Sequence, residues 1–288
     1  MTYYELLTQS AANVGNVVCF GLDVKPEVLP YREESLRVQL NTYFHELFRR
    51  MNLSGLLPAA FKPNIGYYAV LDNPRDEDFT GSLALADLFD LLENFFPNVP
   101  IILDSKRGDI ATSSQNYADE AFRAWGANAV TVAPYMGSDS VSPFIEDPRY
   151  GTYILNRTSN PGGADLQNLR LEDSHTLYER VAQQIIGYNQ QRGNVGAVVG
   201  ATNLEELREI AVAYAKESIP LLIPGVGSQG GSASEVMAIL RKVDYPLSLV
   251  RINSSSGVTH PWKNAPAPDD WLDQCERALR KMVEECAI

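Results

Sequence analysis

Eight short apolar runs, spaced along the whole chain and separated by amphipathic stretches, constrain the fold more than any other feature. They cover residues 17–23, 57–62, 101–104, 129–132, 153–156, 195–200, 221–224 and 247–252. Runs of about four to seven residues without polar alternation suit strands buried on both faces of a parallel sheet. Between them lie segments of helical character at 34–51, 83–96, 114–125, 176–192, 204–217, 233–242 and 269–285. Eight strands with interleaved helices predict closure into a TIM (β/α)8 barrel, and 288 residues suit one such domain over 1–288. A doubly wound open sheet is the competing arrangement, because strand order is not written in the pattern. No GxGxxG follows the first run to favour it. Two connections are longer than a barrel needs, 72–80 and 159–174; the second carries the breaker cluster Asn160-Pro161-Gly162-Gly163 and reads as a lid or an insertion.

In a barrel the site is built where the strands end, so the polar residues that close each run are the candidates. The first run ends Gly21-Leu22-Asp23, the second Phe61-Lys62-Pro63-Asn64, and the third Asp104-Ser105-Lys106-Arg107-Gly108-Asp109-Ile110. A solvated charge or a helix N-cap would explain Asp23 or Lys62 singly. Asp104 and Lys106 are different, since they are two residues apart on a strand end and point the same way. A lone charge there would be costly, whereas Lys and Asp in alternation satisfy one another and keep an ammonium protonated. That arrangement yields a positioned proton donor. Asp109 falls at the start of the next helix, where capping is a sufficient explanation.

After the seventh run comes Pro224-Gly225-Val226-Gly227-Ser228-Gln229-Gly230-Gly231. Glycines let backbone N–H groups approach a ligand, and in this fold the loops after strands seven and eight commonly hold phosphate. A flexible connection is the plain alternative. Net charge is −12, so the cations for an anionic ligand must be gathered locally, and no Lys/Arg run suggests a nucleic-acid partner. Three cysteines, Cys19, Cys275 and Cys286, have no CxxC spacing and suggest neither disulfides nor zinc; Cys19 reads as core rather than nucleophile. His45, His175 and His260 show no metal-ligand or triad spacing and read as surface or structural residues. No signal peptide or membrane span is legible, which implies a cytoplasmic protein with no membrane partner.

Taken in order, Gly21-Leu22-Asp23, Phe61-Lys62-Pro63-Asn64, the DxKxxDI pattern of Asp104 to Ile110, Thr158-Ser159-Asn160-Pro161-Gly162 and the Pro224–Gly231 loop resemble the orotidine 5′-phosphate decarboxylases, in their longer bacterial branch. The resemblance implies conversion of orotidine 5′-phosphate to uridine 5′-phosphate in pyrimidine biosynthesis, with no metal and no cofactor. It implies that the Lys106 ammonium stabilises and then protonates a carbanion at pyrimidine C6, with Asp104 facing the substrate carboxylate. Lys62 and Asp23 would contact ribose hydroxyls and hold the charge network. Asp109 and Ile110 would enter the neighbouring subunit's site, with Ser113 or Thr112 beside them, which implies a homodimer with shared sites. Ser159 would read the pyrimidine edge, and Gln229 with Pro224, Gly225, Gly227 and Gly230 would grip the phosphate. There is one departure. The family's phosphate-binding Arg after strand eight is expected at Ser256, and Arg251, the nearest cation, lies inside the strand. Magnesium-dependent sugar-phosphate decarboxylases and aldol-type synthases share the Asp, Lys and Asp of strand three, but the Phe61–Asn64 block and the glycine loop favour the nucleotide enzyme. A phosphate-ligand-binding barrel without catalysis is the alternative from another class.

Overall fold

The structure, a computed structural model, describes residues 1–288 except Glu33, Ser228, Gln229 and Asn264. Its strands are β1 (Val18–Gly21), β2 (Ala60–Lys62), β3 (Ile102–Arg107), β4 (Ala129–Val132), β5 (Gly151–Arg157), β6 (Val195–Val199), β7 (Leu221–Ile223) and β8 (Val250–Ser254). All pairings are parallel, in the order β2-β1-β8-β7-β6-β5-β4-β3. Isolated bridges from Phe61 to Ile101 and from Asn64 to Asp104 bring the two ends of the sheet together. The sheet is thus a nearly closed TIM barrel, and the open doubly wound sheet is excluded.

Each anticipated helical segment is a helix, α10 with the expected bounds and the others shifted at one end or both: α2 (Leu36–Ser54), α4 (Thr80–Phe95), α5 (Ala111–Asp119), α8 (Leu177–Arg192), α9 (Leu204–Ala215), α10 (Ala233–Lys242) and α12 (Trp271–Glu285). Helix α5 passes into a π-helical turn, Glu120–Ala124, within the single stretch expected at 114–125. The caps explain several ends. At α8 Thr176 and Glu179 form a reciprocal capping box, and Gly193 ends the helix with φ 73°, a left-handed conformation that glycine adopts at little cost. Helix α12 buries Trp271, Cys275, Leu279 and Met282, the stripe a 3.6-residue period lays on one face. The connection at 159–174 holds a 3-10 turn, Pro161–Gly163, and the short helix α7 (Ala164–Gln167).

Three further helices, α1 (Tyr3–Val14), α3 (Ile65–Ala69) and α6 (Ser138–Ile145), precede or interrupt the β/α alternation, and a one-turn helix α11 (Ser256–Thr259) follows β8. Helix α1 plugs the N-terminal mouth of the barrel. Its Tyr3 and Leu7 join Cys19, Ala60, Ile102, Ala129, Tyr153, Val198 and Leu222 in the barrel interior. The Tyr3 hydroxyl donates to Tyr153 Oη at 3.1 Å, and Ser10 Oγ to the Ala59 carbonyl at 2.7 Å. Arg251 is fully buried at this end, donating to the carbonyls of Leu7 (2.7 Å), Val250 (2.7 Å) and Ala59 (3.1 Å). It spans the plug and the barrel wall, so it does not replace an arginine at Ser256. All three cysteines are buried and free, and burial pushes the Cys19 thiol up to about 12. A thiol so placed is a packing group, as its position in the first run suggests. Among the described residues no helix is long and apolar enough to cross a membrane.

Candidate active site

The opposite, C-terminal mouth opens into a cavity of about 740 Å³, lined by residues from the ends of β1 to β8 and the loops after them. At its base stands a chain of charges. The Lys62 ammonium donates to Asp104 Oδ2 at 2.8 Å and lies 3.8 Å from Asp23 Oδ2; the Lys106 ammonium donates to Asp104 Oδ1 at 2.5 Å. Lys62 and Asp104 are almost wholly buried, Asp23 is partly so, and Lys106 is half exposed towards the cavity. Burial alone would push the Lys62 ammonium down, but Asp104 and Asp23 outweigh it and hold the group above the ordinary lysine value. Burial would likewise raise Asp104, yet the two lysines hold its carboxyl well below the usual carboxylate range. Asp104 is therefore a fixed anion between two cations.

Lys106 and Asp104 share a direction for a reason that simple strand alternation does not supply. Between Leu103 and Arg107 the β3 register slips against β4, so that the segment bulges. Lys106 sits in the bulge at φ 48°, a left-handed conformation costing a non-glycine residue roughly 1 kcal/mol or more. Thr131 holds it there. Its hydroxyl accepts the N–H groups of Ser105 (3.1 Å) and Lys106 (3.0 Å) and donates to Asp104 Oδ1 at 2.9 Å. One buried oxygen thus fixes both the backbone and the anion that orients the Lys106 ammonium. Sequence reasoning passed over Thr131; the signal available was a lone hydroxyl inside the apolar run Ala129-Val130-Thr131-Val132.

Asp23 is held similarly, accepting the Asn64 N–H at 3.0 Å and the Ser255 hydroxyl at 2.8 Å. Ser159, Pro224 and Gly225 line the cavity. Gly227 and Gly230 adopt φ 86° and 94°. Their N–H groups close the turn, Gly227 donating to the Gly231 carbonyl and Gly230 to that of Gly227, both at 3.0 Å. The positive φ that a glycine allows is used to shape this loop, rather than to aim these two N–H groups at a ligand. Gln229 lies outside the described residues. Asp109, Ile110 and Ser113 stay out of their own chain's cavity: Asp109 Oδ1 accepts the Ile110 N–H at 2.7 Å, and Ile110 and Ser113 are exposed. Ile110 rather than Asp109 precedes the first turn of α5, and its side chain makes no cap.

Among the residues that reach the cavity without having been anticipated as ligands are Lys25, Asn253 and His260. His260, which reads from sequence as surface or structural, is buried, with its Nδ1 2.8 Å from the Thr259 hydroxyl. Asn253 Oδ1 is buried and has no hydrogen-bond partner among the described residues. A buried amide oxygen at a cavity wall invites a donor from a ligand. No cluster of three or more His, Cys, Asp or Glu side chains suited to a metal ion occurs among the described residues.

Lysines and aspartates interleaved at the C-terminal mouth make this an α/β barrel with a preorganised charge site. The chain belongs to the orotidine 5′-phosphate decarboxylase / HUMPS family, whose model matches residues 17–242. It is 37% identical over 286 residues to an orotidine 5′-phosphate decarboxylase of Variovorax paradoxus, covering 97% of this chain and 96% of that one. It is 38% identical over 296 residues to one of Delftia acidovorans, covering 100% and 99%. The fold is similar to that of an OMP decarboxylase of Leishmania donovani, with a TM-score of 0.74, 28% identity and 99% of each chain covered.

Proposed function

We propose that this chain decarboxylates orotidine 5′-phosphate to uridine 5′-phosphate, with Lys106 as the group that stabilises the reacting carbon and protonates it. The observation that carries this reading is the Lys62–Asp104–Lys106 chain at the base of the cavity. Breaking the bond from C6 to the carboxylate leaves its electron pair on a ring carbon that delocalises it poorly. Such a reaction needs positive charge fixed beforehand where the pair develops. The Lys106 ammonium, held by Asp104 and directed by the bulge, supplies that charge. It then delivers a proton to C6, and the neutral amine regains one from solvent. Asp104, fixed as an anion, faces the substrate carboxylate and favours its departure, while CO2 leaves uncharged.

Around this centre, Asp23 and Lys62 meet the ribose hydroxyls, and the unpaired Asn253 oxygen accepts from one of them. Ser159 meets the pyrimidine edge, and the loop of Pro224, Gly225, Gly227, Gln229 and Gly230 encloses the phosphate. Binding energy from that remote phosphate holds the ring in the charged pocket and so raises the rate as well as the affinity. The reading includes a homodimer, in which Asp109, Ile110 and Ser113 serve the neighbouring site. Tyr67, Val70, Phe79, Leu83, Ile110, Tyr135 and Met136 are large apolar side chains exposed on the segments after β2, β3 and β4. Such a group of exposed side chains favours a protein partner on that side. The reading also includes one domain over 1–288 and a cytoplasmic location.

The test is loss of orotate ultraviolet absorbance on incubation with orotidine 5′-phosphate, with and without EDTA. Wild-type protein should be active in both conditions, and Lys106→Ala should lose well over 10³-fold in kcat, because it removes electrostatic stabilisation and the acid together. Activity within tenfold of wild type in Lys106→Ala would refute its role. Activity abolished by EDTA and restored by magnesium would favour the metal-dependent branch.

A further inference from the structure

We propose that Lys25 is the cation that holds the nucleotide's phosphate in this chain, on the wall that the loops after β1 and β8 build together. The inference rests on the nucleotide reading of the cavity. A phosphate dianion entering a protein of net charge −12 needs local positive charge. The ionisable side chains on the cavity wall include Asp23, Asp104, Lys25, Lys62, Lys106 and His260. Lys62 and Lys106 are both bound to Asp104, and Lys62 also faces Asp23, so two cations and two anions neutralise one another at the base. Lys25 forms no ion pair among the described residues and is exposed at the cavity wall. Among the described residues it is an unspent charge of the site.

Its place in the fold fits the task. Strand β1 pairs with β8 in the register Phe20 to Ser254, which sets the loop carrying Lys25 beside Ser255 and Ser256. Strand β8 pairs in turn with β7, beyond which Pro224, Gly225 and Val226 line the same cavity. His260 stands within reach of the charge of Lys25. Burial lowers the imidazole pKa, and the Lys25 ammonium lowers it further, against an opposing effect of Asp23. Burial and the ammonium both favour the neutral imidazole, which offers a hydrogen bond rather than a charge. Arg251, five residues before Ser256 along the chain, is spent on carbonyls at the far mouth of the barrel. A lysine from the loop after strand one thus serves where Ser256 offers only a hydroxyl.

Because Lys25 is exposed, its replacement leaves the core intact, and ligand affinity can be read directly. Dissociation constants for uridine 5′-phosphate and for uridine, measured by calorimetry on the full chain, separate the phosphate contribution from the rest. Lys25→Met should weaken uridine 5′-phosphate about 10- to 100-fold, the range for a charge-assisted hydrogen bond, and leave uridine within about twofold. Lys25→Arg should restore most of the loss. If wild type binds uridine 5′-phosphate and Lys25→Met binds it equally well, Lys25 is a solvated lysine and this proposal falls alone. Equal losses on both ligands would also overturn it, by showing that the substitution disturbs the loop rather than the phosphate. Failure of the wild type to bind the nucleotide would remove the nucleotide reading together with this one.

Discussion

Thr131 is the residue on which the local geometry turns. Its hydroxyl satisfies two N–H groups in the β3 bulge and donates to the anion that orients Lys106. Thr131→Val keeps the shape and removes the oxygen, leaving two partly buried donors without their partner at a cost of about 1–3 kcal/mol. Since Lys106 occupies the left-handed region only while the bulge is held, the expected result is a kcat at least tenfold lower with KM less affected, and rescue by Thr131→Ser. Steady-state kinetics with urea unfolding of the same variants checks this. A Thr131→Val enzyme that is destabilised yet keeps its kcat would make the hydroxyl a stability device only. Asp104 and Lys62 show why such precision is needed at all. Each is held in its charged form by the other against burial, so removing either strands an uncompensated charge.

At the scale of elements, close approach between neighbouring strand ends sets the cavity's walls. Gly200, directly after β6, has no room for a side chain, because a Cβ there would meet the Ser159 backbone at 2.7 Å. The Ser159 segment is also tied to the next loop, its carbonyl accepting the Thr202 hydroxyl at 2.9 Å. Gly200→Ala should therefore push the segment after β5 away from β6, with a stability loss of about 1–3 kcal/mol for overpacking. If Ser159 contacts the base, KM for the nucleotide should rise several-fold while the remote Lys106 network keeps its geometry. Unchanged KM in a folded Gly200→Ala protein would mean that Ser159 does not touch the substrate. The strands and the main helices were legible as elements, since apolar runs and 3.6-residue stripes carry their own signal. Helices α3 and α6 were not, because five- and eight-residue helices tucked between strand and helix leave too few turns for a period to register.

For the whole molecule, the decisive question is whether Asp109 acts across an interface. It lies outside its own chain's cavity, next to an exposed Ile110. Mixing inactive Lys106→Ala and Asp109→Ala proteins, after unfolding and refolding them together, tests it. In a hybrid dimer one site collects both defects and the other collects neither. With free exchange half the dimers are hybrids, so activity should return to roughly a quarter of wild type, as two-fold symmetry requires. A mixture no more active than the mean of its parents, despite hybrids separated by charge, would place Asp109 within its own site and remove the shared-site model.

By itself the sequence determined the eight β/α units and the candidate charges at their strand ends, because both come from local order: an apolar run buries itself, and the polar residues that close it stand at the mouth. It carried Asp23, Lys62, Asp104 and Lys106 to one site on that rule alone. Only the tertiary structure decided where Arg251 spends its charge, that Thr131 braces the β3 bulge, and that Lys25 and His260 share the cavity wall. Those outcomes depend on contacts between segments far apart in the chain, such as Arg251 with Leu7 and Asp23 with Ser255. Such contacts exist only after the sheet has closed, so no pattern within one segment announces them.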